Sequence, residues 1–313
     1  MIVIPLLIII ALIVFTILRI RGFLNPVTVD REIDISALDE YEDNYDVIMP
    51  LMDKDGYIVK QDVKNIIVFG NDPFAEDRDS ETGLAAKLAK ATGANVINCA
   101  ISGSYASQTV VGEPLLNPMD VYTPYYLCTL ASFPEQFSEV VDEGGRLLGE
   151  NKPADADEVI ETLKNIDLST VDMAVFFYDL TDYYMDHPTY ITEISKAEDT
   201  FSGNLYLAVN MLSVKYPNIR IICMSPFYNP MTDDEGNVIS AELVKNSYGT
   251  PGDYVLSEGG GVQLYTANSF IDNYFGSINQ ENYESYLRDS RHLNEAGRDL
   301  LIKRLMYAIT YYD

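Results

Sequence analysis

Four short runs of β-branched and aromatic residues set the strongest constraint on the fold: NIIVFG (65–70), NVINCAI (95–101), DMAVFFY (172–178) and IRIICM (219–224). None of them alternates polar with apolar side chains. A strand that is apolar on both faces has to be covered on both faces, which is the condition of a parallel sheet between two helical layers. The segments between the runs read as helices. Thr82–Ala91 places Leu84 and Leu88 on one face, DADEVIETLKNI (residues 155–166) is amphipathic, and Asn204–Tyr216 is stopped by Pro217. Asn268–Tyr274 is a fifth candidate strand, and Asn294–Tyr312 is the closing helix. Strands alternating with helices predict an α/β sandwich with about five parallel strands.

In such a sheet, the loops at the carboxyl ends of the strands gather into the ligand crevice. The turns after residues 70, 101, 178, 226 and 274 are therefore the places to look for chemistry. Two longer stretches, 112–170 and 229–261, exceed ordinary connections and are expected to form a lid or rim over that crevice.

Ahead of the sheet region, Met1–Leu18 (MIVIPLLIIIALIVFTIL) carries no charge. As a helix it reaches about 27 Å, close to the hydrocarbon thickness of a bilayer. No lysine or arginine precedes the run, no small-residue cleavage site follows it, and Arg19 and Arg21 come next. A transmembrane anchor over residues 1–21 fits this pattern better than a cleaved signal peptide. Taken alone, the two arginines place the rest of the chain in the cytoplasm. Residues 22–62, with DREIDISALDEYEDNYD (30–46), read as an acidic stalk, and residues 63–313 as the globular domain.

The chain holds 48 acidic and 21 basic side chains, a formal charge of −27. A surface of that sign repels phosphates, so nucleic acid is excluded as a partner. Cys99, Cys128 and Cys223 are too few and too scattered for a disulfide framework or a zinc site, and are expected to be buried small hydrophobes. No cofactor-binding pattern stands out.

Only two histidines are present, and both follow carboxylates. His292 lies in RDSRHLNEAGRDLL, three residues after Asp289, where a carboxylate can accept the Nδ1 proton and support an imidazolium. Asn294 can cap the helix that follows. His187 comes after Asp182 and Asp186. That set could ligate a metal, but a polar loop ended by Pro188 explains it better. Three turns add candidates: Gly70, Asn71 and Asp72 after the first strand, Gly103 after the second, and Asp179, Thr181 and Asp182 after the third. Tyr105, Tyr122, Tyr125, Tyr126, Tyr183 and Tyr184 lie in nearby segments. Core packing is their default role, and an aromatic platform for sugar rings the alternative.

Four blocks in this order, Gly70-Asn71-Asp72, Gly103, Asp179-Leu180-Thr181-Asp182 and Asp289-Ser290-Arg291-His292, resemble the SGNH/GDSL hydrolase family over about residues 64–312. The resemblance implies a flavodoxin-like three-layer α/β/α sandwich. It implies hydrolysis of acyl or acetyl esters on carbohydrates or lipids, by a serine nucleophile, an Asp/His pair and an oxyanion hole. It also implies work outside the cytoplasmic membrane, on an N-terminal tether, so the domain is expected to be extracytoplasmic. Carried over by position, the site is Asp72, Gly103, Thr181, Asp289 and His292, with cell-envelope carbohydrate or an acylated ligand as partner.

Two positions depart from the family pattern. Asp72 stands where the serine belongs, and Thr181 where the asparagine belongs. A carboxylate attacking an ester forms a mixed anhydride uphill, and it puts negative charge where the oxyanion must develop. Beside His292 it favours the imidazolium over the free base. Ser80, Ser102 and Ser104 are the hydroxyls that could substitute, provided one reaches His292.

Overall fold

The structure, a computed structural model, describes residues 45–312 apart from 190–193, 234, 236 and 267–268. The expected anchor over residues 1–21 and the first part of the expected stalk lie outside the described residues. Among the described residues, no helix is long and apolar enough to cross a membrane.

In chain order the elements are β1 (Asn65–Gly70), the single turn α1 (Asp72–Ala75), α2 (Leu84–Thr92) and β2 (Asn95–Asn98). Next come α3 (Pro124–Ser132), α4 (Pro134–Leu148), α5 (Ala156–Asn165), β3 (Met173–Phe177), the single turn α6 (Thr181–Tyr184), α7 (Phe201–Lys215) and β4 (Arg220–Met224). A small hairpin of β5 (Met231–Thr232) and β6 (Val238–Ile239) precedes α8 (Pro251–Thr266), β7 (Ser269–Ile271), the turn α9 (Tyr283–Tyr286) and α10 (Glu295–Thr310). The main sheet runs in the order β2-β1-β3-β4-β7 with every pair parallel. The connection reverses direction between β1 and β3, and a crevice opens at such a point.

The double-faced apolar pattern is explained by where alternate residues go. Ile67, Phe69, Ala174, Phe176, Ile221 and Cys223 face the layer that holds α3, α5 and α7. Ile66, Val68, Met173, Val175, Phe177 and Ile222 face the layer of α2 and α10. Ile66–Phe69 have no exposed surface. Burying each such side chain contributes roughly 1.5–3 kcal/mol before the ordering cost.

Three expectations are corrected. Residues 112–170 are not a rim. They supply α3, α4 and α5, and α3 is buried from Tyr126 to Ser132, so this stretch is a helical layer of the sandwich. Its first helix is apolar on all sides and shows no periodicity to read.

The stretch 229–261 hides most of α8. Its glycines argue against a helix, but here they permit close packing. A Cβ at Gly259 would lie 3.0 Å from the Phe270 ring, and one at Gly261 3.1 Å from the Ser202 side chain.

The stalk reading fails from residue 45 onward. Val47 and Phe270 exchange backbone hydrogen bonds of 2.9 and 2.8 Å at the outer edge of β7. Asp46 pairs with the buried Arg304 of α10 at 2.7 Å. The Asp172 carboxylate accepts from the Lys64 and Asn65 N–H groups. All three cysteines are buried thiols, and burial pushes Cys99 up to about 12.

Candidate functional site

The site forms where β1 and β3 end. Asn71, fully buried, follows the last residue of β1 and ties three segments together. Its side-chain amide donates to the Ser104 carbonyl at 3.0 Å and to Asp179 Oδ1 at 2.6 Å, and its Oδ1 accepts from the Asp179 N–H at 2.9 Å. The β1 turn, the loop after β2 and the exit of β3 are thereby held in one arrangement. Gly70 makes the close approach possible, because a Cβ there would sit 2.2 Å from the Phe177 carbonyl oxygen.

Asp72 comes next and projects into the crevice. Its Oδ1 accepts the Gly103 N–H at 3.0 Å. Gly103 has a φ of +67°, the left-handed conformation that turns this N–H toward β1 at no steric cost to glycine. Burial and the neighbouring Asp179 charge push the Asp72 carboxyl above its ordinary range, against the pull of the Gly103 N–H and His292.

Opposite stands the loop ahead of α10. Both Asp289 oxygens lie 2.8 Å from His292 Nδ1, and Asp289 Oδ1 also accepts the N–H groups of Arg291 and His292 at 2.8 and 2.9 Å. Burial alone would raise the Asp289 carboxyl, but these hydrogen bonds outweigh it and hold it below the usual range. Asn294 caps α10, accepting the Gly297 N–H at 2.9 Å, which anchors the loop to a rigid element. The geometry leaves Nε2 as the reactive end of the ring. It faces Glu76 Oε1 at 3.8 Å. Glu76 in turn is clamped by Arg288 and Arg298, and Asp77 lies 2.5 Å from Arg298.

Of the positions expected from sequence, Asp72 and Gly103 are in direct contact, and Asp289 and His292 form a pair. Thr181 begins α6 and donates its N–H to Asp179 Oδ1 at 2.9 Å. Asp182 turns away from the crevice. It is fully buried, accepts the Ala106 and Ser107 N–H groups at 2.7 Å each, and lies 3.2 Å from His187 Nδ1.

The substitute serines are engaged elsewhere. Ser102 Oγ donates to Asp155 at 2.9 Å, buried Ser104 Oγ donates to the Gly70 carbonyl at 3.4 Å, and Ser80 pairs with Thr82 at 2.9 Å. The Ser102–Asp155 contact lines an open cleft of about 630 Å³ beside the Asp72 turn, with Asp77, Arg78 and Ser80 on its walls.

Tyr105, Tyr122, Tyr126 and Tyr183 are buried, in keeping with the packing role. Tyr184 is different. Arg291 sits 4.0 Å over its ring, and burial pushes the phenol up to about 12. Sequence reasoning missed Glu76 and the Tyr184–Arg291 contact, since each joins residues far apart in the chain. Their only local signal was proximity to Asp72, Asp179 and His292 in sequence.

No protein-family model matches the chain, and no curated protein does either. Solved structures do. A crystal structure of a protein from Lactobacillus plantarum is similar at a TM-score of 0.51 and 17% identity, over 81% of this chain and 100% of that one. Lower scores link the chain to a possible lipase from Chitinophaga pinensis (TM-score 0.48, 11% identity, 77% of this chain and 95% of that one). A putative GDSL-like lipase from Parabacteroides merdae follows (TM-score 0.43, 14% identity, 80% of this chain and 97% of that one). The chain shares the fold of the Lactobacillus plantarum protein, a five-stranded parallel sheet between helical layers. At these identities the likeness is one of fold alone, and the activity of the chain has to be argued from its own residues.

Proposed function

We propose that this chain is a membrane-tethered SGNH-type domain of the cell envelope that holds an acylated or carbohydrate ligand in its crevice and does not carry out serine-type ester hydrolysis. The carrying observation is the 3.0 Å hydrogen bond from the Gly103 N–H to Asp72 Oδ1. In an acyl hydrolase of this fold, that donor has to receive the developing oxyanion. Here a carboxylate of the chain itself already occupies it, so an ester carbonyl entering the crevice meets negative charge in place of a free donor.

The second support is that Ser80, Ser102 and Ser104, the three candidate substitutes, are each engaged away from His292. Each candidate serine hydroxyl has another partner, and the nearest acidic group to His292 Nε2 is the Glu76 carboxylate. Loss of a serine nucleophile lowers turnover by several orders of magnitude. The Asp289–His292 pair and the Asn71 clamp nevertheless keep the crevice walls fixed, which is what recognition of a ligand requires. The tether rests on the uncharged Met1–Leu18 run, and an extracytoplasmic side agrees with a glycan or acyl ligand.

Acetate release tests this reading. The full-length chain in detergent micelles should release no acetate from a short-chain aryl acetate or an acetylated oligosaccharide above the buffer rate, and His292→Ala should leave that rate unchanged. Release that falls in His292→Ala would show an active hydrolase.

A further inference from the structure

Arg291 has a position unlike that of the other described arginines. Arg78, Arg146, Arg288, Arg298 and Arg304 each face a carboxylate, and Arg220 donates to three backbone carbonyls. Arg291 instead lies over the Tyr184 ring at 4.0 Å. There it also acts on the Tyr184 hydroxyl as a hydrogen-bond donor, while a cation over an aromatic face keeps the rest of its in-plane N–H donors available. In a chain with 48 acidic and 21 basic side chains, an arginine side chain that pairs with none of the described carboxylates is notable.

The placement is fixed from both sides. The Arg291 N–H is bound by Asp289 at 2.8 Å, one residue before the histidine of the pair. Tyr184 ends α6, the turn that leaves β3 just after Asp179. Arg291 therefore spans the mouth of the crevice from the His292 loop to the β3 exit.

The nearby carboxylates already have donors. Asp289 has His292, Glu76 has Arg288 and Arg298, Asp179 has Asn71 and the Thr181 N–H, and Asp72 has the Gly103 N–H. The guanidinium is the group left to meet a ligand.

We propose that Arg291, backed by Tyr184, is the specificity group of the crevice and that it selects a saccharide ligand bearing an oxyanion, either a sugar carboxylate or a phosphate ester. The proposal rests on the ligand-binding reading above and narrows it. A bidentate guanidinium–oxyanion contact supplies both charge and geometry, which an ammonium would not reproduce.

The test is calorimetric titration of the full-length chain in micelles with three probes: methyl β-D-glucuronide, glucose 1-phosphate and methyl β-D-glucoside. Saturable binding is expected for at least one of the two anionic probes, and the stronger one identifies the oxyanion source. The neutral glucoside should bind at least tenfold more weakly. Arg291→Gln should lose at least tenfold in affinity for the anionic probe with an unchanged melting temperature, and Arg291→Lys should recover only part of it. Equal binding of the neutral glucoside, or an unaffected Arg291→Gln, overturns the proposal and leaves the binding reading in place. No binding of any probe overturns the proposal too, while the ligand-binding reading is decided separately by the acetate-release assay above.

Discussion

The molecule contains two aspartate–histidine pairs, and they do opposite work. In Asp289–His292 both carboxylate oxygens lie 2.8 Å from Nδ1, and the two side chains are 49% and 38% exposed. In Asp182–His187 the contact is longer, 3.2 Å, and Asp182 is fully buried. The decisive difference is what else each carboxylate binds. Asp289 accepts the N–H groups of its own loop, so it orders one turn and orients one ring. Asp182 accepts the Ala106 and Ser107 N–H groups, more than 70 residues away in the chain. It pins the loop after β2 to the exit of β3. One pair presents a ring to a crevice, and the other fastens two segments together.

The largest expected effect separates the two. Asp182→Ala leaves two buried N–H groups without an acceptor and should destabilise the fold by about 3–5 kcal/mol. Asp289→Ala, at an exposed loop, should cost less than about 1 kcal/mol. Denaturant midpoints of the two variants check this, and similar losses would erase the distinction drawn here.

A smaller effect comes from pH, where Asp46 and Asp289 carry opposite signs. Burial pushes Asp46 up to about 6, despite its contact with Arg304. The docked segment therefore binds a proton more tightly than an exposed one does. Its docking should strengthen as pH falls through about 6, by up to about 1.4 kcal/mol per pH unit until the ordinary carboxylate range is reached. Asp289 is held low, so its contribution is present above the ordinary range and is lost as pH falls below it. Hydrogen exchange of the Val47 and Phe270 amides at pH 7 and pH 5, corrected for intrinsic rates, reads the Asp46 arm. Protection that rises at pH 5, and that loses this dependence in Asp46→Asn, is the expected outcome. Protection that falls at pH 5 would mean the Arg304 attraction outweighs desolvation.

The sheet was legible because it depends on composition over short windows. Asn65–Gly70, Met173–Phe177 and Arg220–Met224 bury both faces, and both faces are apolar in sequence. The first block's aspartate, the Gly103 turn and the Asp289–His292 spacing were legible for a similar reason, since each is local.

What stayed hidden depends on partners distant in the chain. The glycines of α8 look like loop residues until Phe270 and Ser202 are seen against them. Helix α3 is apolar all round, so periodicity gives no signal. Residues 45–49 look like a continuation of the acidic stretch, and only Arg304 and the β7 edge show why they belong to the domain. Asp182 was expected at the crevice with Thr181. Nothing in DLTD distinguishes a carboxylate that points outward from one that fastens the Ala106–Ser107 loop.

The central claim is that the site differs from a working acyl hydrolase chiefly at Asp72. The most direct measurement is aryl acetate turnover by Asp72→Ser, beside the double variant Asp72→Ser/His292→Ala. With the carboxylate gone, the Gly103 N–H is released and a hydroxyl stands at the end of β1, facing the ring that Asp289 orients. The account predicts that Asp72→Ser gains turnover at least tenfold above the unmodified chain, and that the double variant loses the gain. A folded Asp72→Ser that stays inert, or one whose gain survives removal of His292, would contradict it.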